Sequence, residues 1–121
     1  MAIKKILVVD DSPTDIYVVQ NMLKQQDFTV FVANDGASGI EIAKQERPDL
    51  ILMDVIMPGV NGFQATRQLS RNDVTKNIPI ILCTTKGEET DKIWGLRQGA
   101  VDYLVKPFSE KQLFDKIKIL D

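Results

Sequence analysis

The chain contains no histidine. That absence removes Ser-His-Asp and Cys-His nucleophilic catalysis, histidine-ligated zinc and any phosphohistidine relay carried within the chain itself. Cysteine is almost absent as well. The one thiol, Cys83, stands inside an apolar run and reads as a reduced core residue. Neither G-x-x-x-x-G-K-[ST] nor G-x-G-x-x-G occurs, which excludes a P-loop and a dinucleotide-binding turn. The apolar runs are far shorter than the roughly 20 residues of a membrane span. Met1-Ala2-Ile3-Lys4-Lys5 leads straight into a strand pattern, so no signal peptide is read. A net charge of −2 with the signs mixed gives no nucleic-acid or lipid surface. A cytoplasmic protein is expected.

What remains is a chain of 121 residues, long enough for one domain with a real core and no staples. Apolar runs of strand length recur near 4–9, 28–33, 49–54, 78–83 and 102–106, with segments of helical periodicity between them. The first helix opens at Ser12-Pro13-Thr14-Asp15, with serine at the N-cap, proline at N1 and an acid at N3. Its inner stripe is Ile16, Val19 and Leu23. A second helix covers roughly 36–46 and stops ahead of Pro48. A third follows Pro58-Gly59-Val60-Asn61-Gly62 and turns Phe63, Thr66 and Leu69 inward. A fourth, roughly 87–98, is expected to bury Ile93 and Leu96 and to stop at Gly99. The fifth opens with the capping box of Ser109-Glu110-Lys111-Gln112 and buries Leu113, Ile117 and Leu120.

Five strands alternating with five helices argue an α/β fold, a doubly wound parallel sheet with helices on both faces. The runs Ile6–Val9, Leu50–Met53 and Ile80–Cys83 are continuously apolar, as strands covered on both faces should be. The mixed Phe28–Val32 run fits an edge. With no linker and no room after the fifth helix, residues 1–121 are expected to be a single domain without an output domain.

The chemistry lies where the strands end. Asp10-Asp11, Asp54, Thr84 and Lys106 each follow an apolar run, so parallel strands bring them to one edge of the sheet, where open α/β sheets bind ligands. Each has an ordinary structural explanation taken singly, as a cap, a turn residue or a solvated strand end. Four of five strand ends carrying what one phosphoryl site needs is hard to ascribe to chance. Three crowded carboxylates repel one another, and a hard divalent cation such as Mg²⁺, with Mn²⁺ as a substitute, relieves them. With metal and Lys106 offsetting the charge, Asp54 can attack phosphorus and become an acyl phosphate. Lys106 would then hold one phosphoryl oxygen and the Thr84 hydroxyl another.

At these positions the chain resembles the receiver domains of two-component response regulators, the family of the single-domain chemotaxis regulator. The resemblance is carried by Ile6–Asp11, Leu52–Gly59, Ile78–Thr84 and Gly99–Phe108. It implies the flavodoxin-like strand order 2-1-3-4-5 and phosphorylation of Asp54 by a histidine kinase. It also implies Mg²⁺ on Asp10, Asp11, Asp54 and the Ile56 carbonyl, a switch made by Thr84 and Tyr103, and a cis Lys106–Pro107 bond. Gly62–Leu69 and Thr84–Gly95 further resemble the PilH-type receivers, which serve type IV pilus twitching motility through a chemotaxis-like kinase. That resemblance implies a stand-alone, monomeric phosphoacceptor that is not an enzyme in the turnover sense.

Other residues refine this picture. Trp94 should point about 100° from Ile93, and with Lys92 and Arg97 it forms a candidate partner surface or simply lies flat over a neighbouring loop or the fifth strand. In the receiver family Ile56 and Lys86 flank the path of the hydrolytic water; an apolar Ile56 cannot orient it, which implies slow self-hydrolysis unless Lys86 compensates. A phosphate sink for the kinase remains an alternative to an output regulator. An aspartate-nucleophile phosphatase is disfavoured, because its second acid would fall at Ile56.

Overall fold

The computed structural model describes residues 3–121. Ten elements alternate strictly: β1 (Lys5–Val9), α1 (Pro13–Lys24), β2 (Thr29–Ala33), α2 (Gly36–Glu46), β3 (Leu50–Met53), α3 (Gly62–Arg71), β4 (Ile80–Thr84), α4 (Glu89–Arg97), β5 (Asp102–Val105) and α5 (Glu110–Leu120). The strands pair in parallel in the order β2-β1-β3-β4-β5. This is the doubly wound sheet expected, with the mixed-polarity β2 at one edge.

Side chains alternate across the pleat and divide the core in two. Leu7, Val9, Ile51, Met53, Ile80, Leu82 and Tyr103 face one way, against Ile40 and Ala43 of α2 and Ala65 and Leu69 of α3. Ile6, Val8, Leu50, Leu52, Ile81, Cys83 and Leu104 face the other way, against Val19 and Leu23 of α1 and Leu113 and Ile117 of α5. Burial on both faces is why the central strands read as unbroken apolar runs.

The helix starts follow their caps. Ser12 accepts from the Asp15 N–H with Pro13 at the first position, and Ser109 and Gln112 form the reciprocal box on α5. Asn61 and Gln64 build a further capping box on α3. Arg47 ends α2 in the left-handed region at φ 46°, just ahead of Pro48.

Helix α4 departs from expectation. It begins at Glu89, and Ile93 and Leu96 are 46 % and 49 % exposed instead of buried. The residue that faces inward is Gly95; a Cβ there would lie 2.5 Å from Leu82 Cδ1 and within 3.4 Å of the Tyr103 and Phe63 rings. The helix backbone approaches the sheet through a missing side chain, which turns the bulky neighbours out to either side. Smaller shifts occur elsewhere. Phe63 and Leu120 are half-buried, and Ala65 joins the expected Thr66 and Leu69 as a fully buried residue of α3.

At the amino-terminal end of the sheet, carboxylates act as fasteners. Asp49 accepts from the Lys4 and Lys5 N–H groups, both at 2.9 Å. Asp121 accepts from the Ile3 N–H at 2.7 Å, joining the two ends of the described chain.

Candidate functional site

The opposite end of the sheet gathers the predicted residues. The Asp10 N–H continues the β1–β2 ladder to the Ala33 carbonyl (3.1 Å), and that of Asp54 bonds Val9 (2.9 Å), so the two carboxylates leave adjacent strands side by side. The Asp10 Oδ1 accepts from the Ser12 N–H (3.0 Å), and Asp54 Oδ1 accepts from the Val55 N–H (2.8 Å). Asp11 remains exposed above them. One carboxylate oxygen from each of Asp10, Asp11 and Asp54 lies within 4.8 Å of the others.

Lys106 enters from the far edge, positioned by its N–H on the Thr84 carbonyl at 2.8 Å. Its Nζ lies 2.7 Å from Asp10 Oδ2, 2.9 Å from Asp15 Oδ2 and 3.8 Å from Asp54 Oδ1. Burial alone would lower this ammonium's pKa; the hydrogen bonds to Asp10 and Asp15, with the Asp54 charge behind them, hold it above its ordinary value. Asp54 moves the other way from most paired acids. Desolvation raises it, Lys106 opposes that incompletely and Asp10 adds to it, leaving the carboxyl at about 6. A buried acid crowded by a second acid fits a missing positive charge. Three oxygen donors from carboxylates suit a hard divalent cation, which keeps several waters of its own. Thus the donor set fits Mg²⁺.

Thr84 is fully buried at the end of β4, and its Oγ1 accepts from the Lys86 N–H at 3.3 Å. The Tyr103 hydroxyl donates to the Lys86 carbonyl at 2.6 Å. Both switch candidates are therefore tied to the two faces of one peptide segment. Burial first, then the Asp91 and Asp54 carboxylates, push the Tyr103 phenol to about 12, which keeps it a donor. Cys83, next to Thr84, is buried and free, and desolvation raises its thiol to about 12. The Lys86 ammonium pairs with Asp91 at 3.7 Å, in the first turn of α4. Ile56 stands exposed past Asp54. Lys92, Trp94 and Arg97 lie on α4, with Trp94 48 % exposed.

The chain matches the response regulator receiver domain over residues 6–118. It is a receiver domain of the response-regulator family. Protein PilH of Pseudomonas aeruginosa is 53 % identical to it over 113 residues, covering 93 % of both chains. The phosphate regulon regulator PhoB of Escherichia coli is 40 % identical over 95 % of this receiver domain, which spans 50 % of that protein. Among solved structures, chemotaxis protein CheY4 of Vibrio cholerae superposes with a TM-score of 0.92 at 32 % identity, over 99 % and 100 % of the two chains. The receiver domain of sensor histidine kinase PA1611 from P. aeruginosa superposes with a TM-score of 0.90 at 32 % identity, over 98 % of each chain, and was solved with magnesium in its active-site cleft. Receiver domains are phosphorylated by histidine kinases.

Two residues of this receiver domain's pocket escaped the sequence reading. Asp15 appeared only as a helix-capping acid, yet its side chain reaches Lys106; the signal was its place at N3, where side chains lean back toward the helix start. Gly62 was read as a turn residue. A Cβ there would collide with the Asp54 carbonyl and Val55 Cα, and the Gly62 N–H bonds the Val55 carbonyl at 2.9 Å, so α3 rests directly on the loop after Asp54. Among the described residues no helix is long and apolar enough to cross a membrane.

Proposed function

We propose that this receiver is a stand-alone cytoplasmic response regulator that takes a phosphoryl group onto Asp54 from a histidine kinase of chemotaxis type. The observation that carries the reading is the division of labour at Asp54. Its Oδ1 is fixed by the Val55 N–H and lies 3.8 Å from the Lys106 ammonium, while no group among the described residues donates to its second oxygen. That second oxygen attacks the phosphorus of a phosphohistidine; the P–N bond breaks, and its electron pair leaves with the imidazole. Asp10, Asp11, Asp54 and the Ile56 carbonyl would hold Mg²⁺, which supplies charge neutralisation at the entering phosphoryl group. Lys106 takes one phosphoryl oxygen and the Thr84 hydroxyl another. Pulling Thr84 toward the phosphoryl group disturbs its bond to the Lys86 N–H, and through Lys86 the position of Tyr103 and α4. The half-buried Lys92 and the exposed Trp94 and Arg97 are the residues of α4 proposed to meet a partner.

The kinship with PilH supports a role in type IV pilus twitching motility. A second reading, a phosphate sink that drains the kinase, has one observation in its favour. Tyr103 is already inside, 8 % exposed and bonded to Lys86, which leaves phosphorylation less to move.

The test is intact mass after incubation with a small-molecule phosphoryl donor, with and without Mg²⁺, followed after donor removal. One Mg²⁺-dependent adduct, absent in Asp54→Asn, is expected. No adduct from either the small donor or a phosphorylated kinase would overturn the reading. Rapid loss of the adduct would favour the sink, and slow loss the output regulator.

A further inference from the structure

We propose that Asp15 is a positioning residue for Lys106, which competes with the phosphoryl group for its ammonium and so loosens the hold on the phosphorylated state. This rests on Asp54 being the phosphoacceptor. A lysine ammonium has three N–H donors. Here two of them are committed, to Asp10 Oδ2 at 2.7 Å and to Asp15 Oδ2 at 2.9 Å, both within charge-assisted hydrogen-bond range. Asp54 at 3.8 Å lies beyond that range. The ammonium is thus drawn toward α1 and away from the residue it is meant to serve.

Asp15 differs from Asp10 in one decisive respect. Asp10 belongs to the group of three carboxylates that can share a cation, and Asp15 does not. Among the described residues its one charged partner is Lys106. A role as a helix-capping acid accounts for a carboxylate at this position but not for its direction. The side chain is 43 % exposed, yet its oxygen is aimed inward at a lysine that is only 12 % exposed. The backbone holds it there, because the Asp15 N–H is bonded to the capping Ser12 Oγ at 3.3 Å. Lys106 cannot turn fully to a phosphoryl oxygen on Asp54 without giving up Asp15.

The experiment compares the wild-type chain with Asp15→Asn, which keeps the shape and removes the charge. Mg²⁺ affinity is measured first, so that both proteins are titrated at saturating metal. Binding of fluoroberyllate, a tetrahedral mimic of the acyl phosphate, is then followed by fluorine NMR. Asp15→Asn is expected to bind it about five-fold more tightly, the weight of one partly exposed ion pair, and to lose its phosphoryl group more slowly. A change that merely damaged the helix would lower the melting temperature and weaken the mimic, not tighten it. In a Lys106→Met background, titrated at higher mimic concentration, the Asn substitution should change nothing.

Unchanged or weaker binding in Asp15→Asn would overturn the proposal. So would tightening that persists without Lys106, which would mark simple charge repulsion. If the wild-type chain itself took up no fluoroberyllate with Mg²⁺, the phosphoacceptor reading would fall and this one with it. Equal binding by both proteins would remove only the role of Asp15.

Discussion

At the amino-terminal end of the sheet, Asp49 accepts two backbone N–H groups, and those bonds, with Lys5 and Lys4 nearby, hold its carboxyl below the ordinary range. At the other end, Asp54 has one backbone donor, a second acid beside it and burial against it, and is pushed up to about 6. The residue type is the same and the two flank a single strand, β3. Backbone donors satisfy a carboxylate outright, so Asp49 stabilises the fold by being charged. Asp54 costs stability by being charged, and that unmet demand is what an incoming cation or phosphoryl chemistry can use.

Asp54→Asn breaks the comparison at its more sensitive end. Phosphorylation should be lost entirely, and the metal-free protein should become more stable at pH 7.5 by about 1–2 kcal/mol, the attraction to Lys106 being already contained in the raised value. The folded-state value lies above the unfolded one, so Asp54 contributes stability below about pH 4 that disappears as pH rises through 6. Melting curves from pH 4 to 8 should therefore show the variant and wild type converging in acid; a gap that widens there would refute the assignment.

Asp49→Ala should act in the opposite sense, costing about 1–3 kcal/mol at neutral pH through two lost charge-assisted bonds. Its carboxyl is lowered in the folded state, so this contribution is present above the unfolded value and fades as pH falls through the folded one. Urea unfolding at pH 7 and pH 3 checks it, with the larger penalty expected at pH 7.

Millimolar Mg²⁺ should sharpen the contrast by raising the melting temperature, an effect on the order of 1 kcal/mol when the cation exceeds its dissociation constant about five-fold. The shift should shrink at pH 5, where protonation of Asp54 competes with metal, and nearly vanish in Asp54→Asn. In Asp49→Ala it should be unchanged. Smallest of all, Asp121→Ala loses one bond to the Ile3 N–H and should cost about 0.5–1.5 kcal/mol, read from the same unfolding curves.

The sheet and four of the helices were legible because their signals are local and additive. Ser12-Pro13 and Ser109–Gln112 announce helix starts, and residues covered on both faces produce apolar runs. The pocket was legible for a related reason, since parallel strands deliver their last residues to one edge regardless of loop detail. Helix α4 was not, because its seat is Gly95, a residue with no hydrophobicity to register, while Ile93 and Leu96 advertise a face that the fold leaves in water. Asp15 was hidden differently. Its partner lies 91 residues away, and a capping acid and a lysine-holding acid look the same in one dimension.

The bond between Asp121 and the Ile3 N–H puts both ends of the described chain side by side, at the end of the sheet away from Asp54. The domain can accordingly be spliced into a surface loop of a reporter protein through two short linkers, without stretching either the host or the guest. The pocket around Asp54 would face outward from the splice. Joining the ends of the described chain with a peptide and reopening it at an exposed turn is the matching circular permutation, and the Asp121–Ile3 contact favours it.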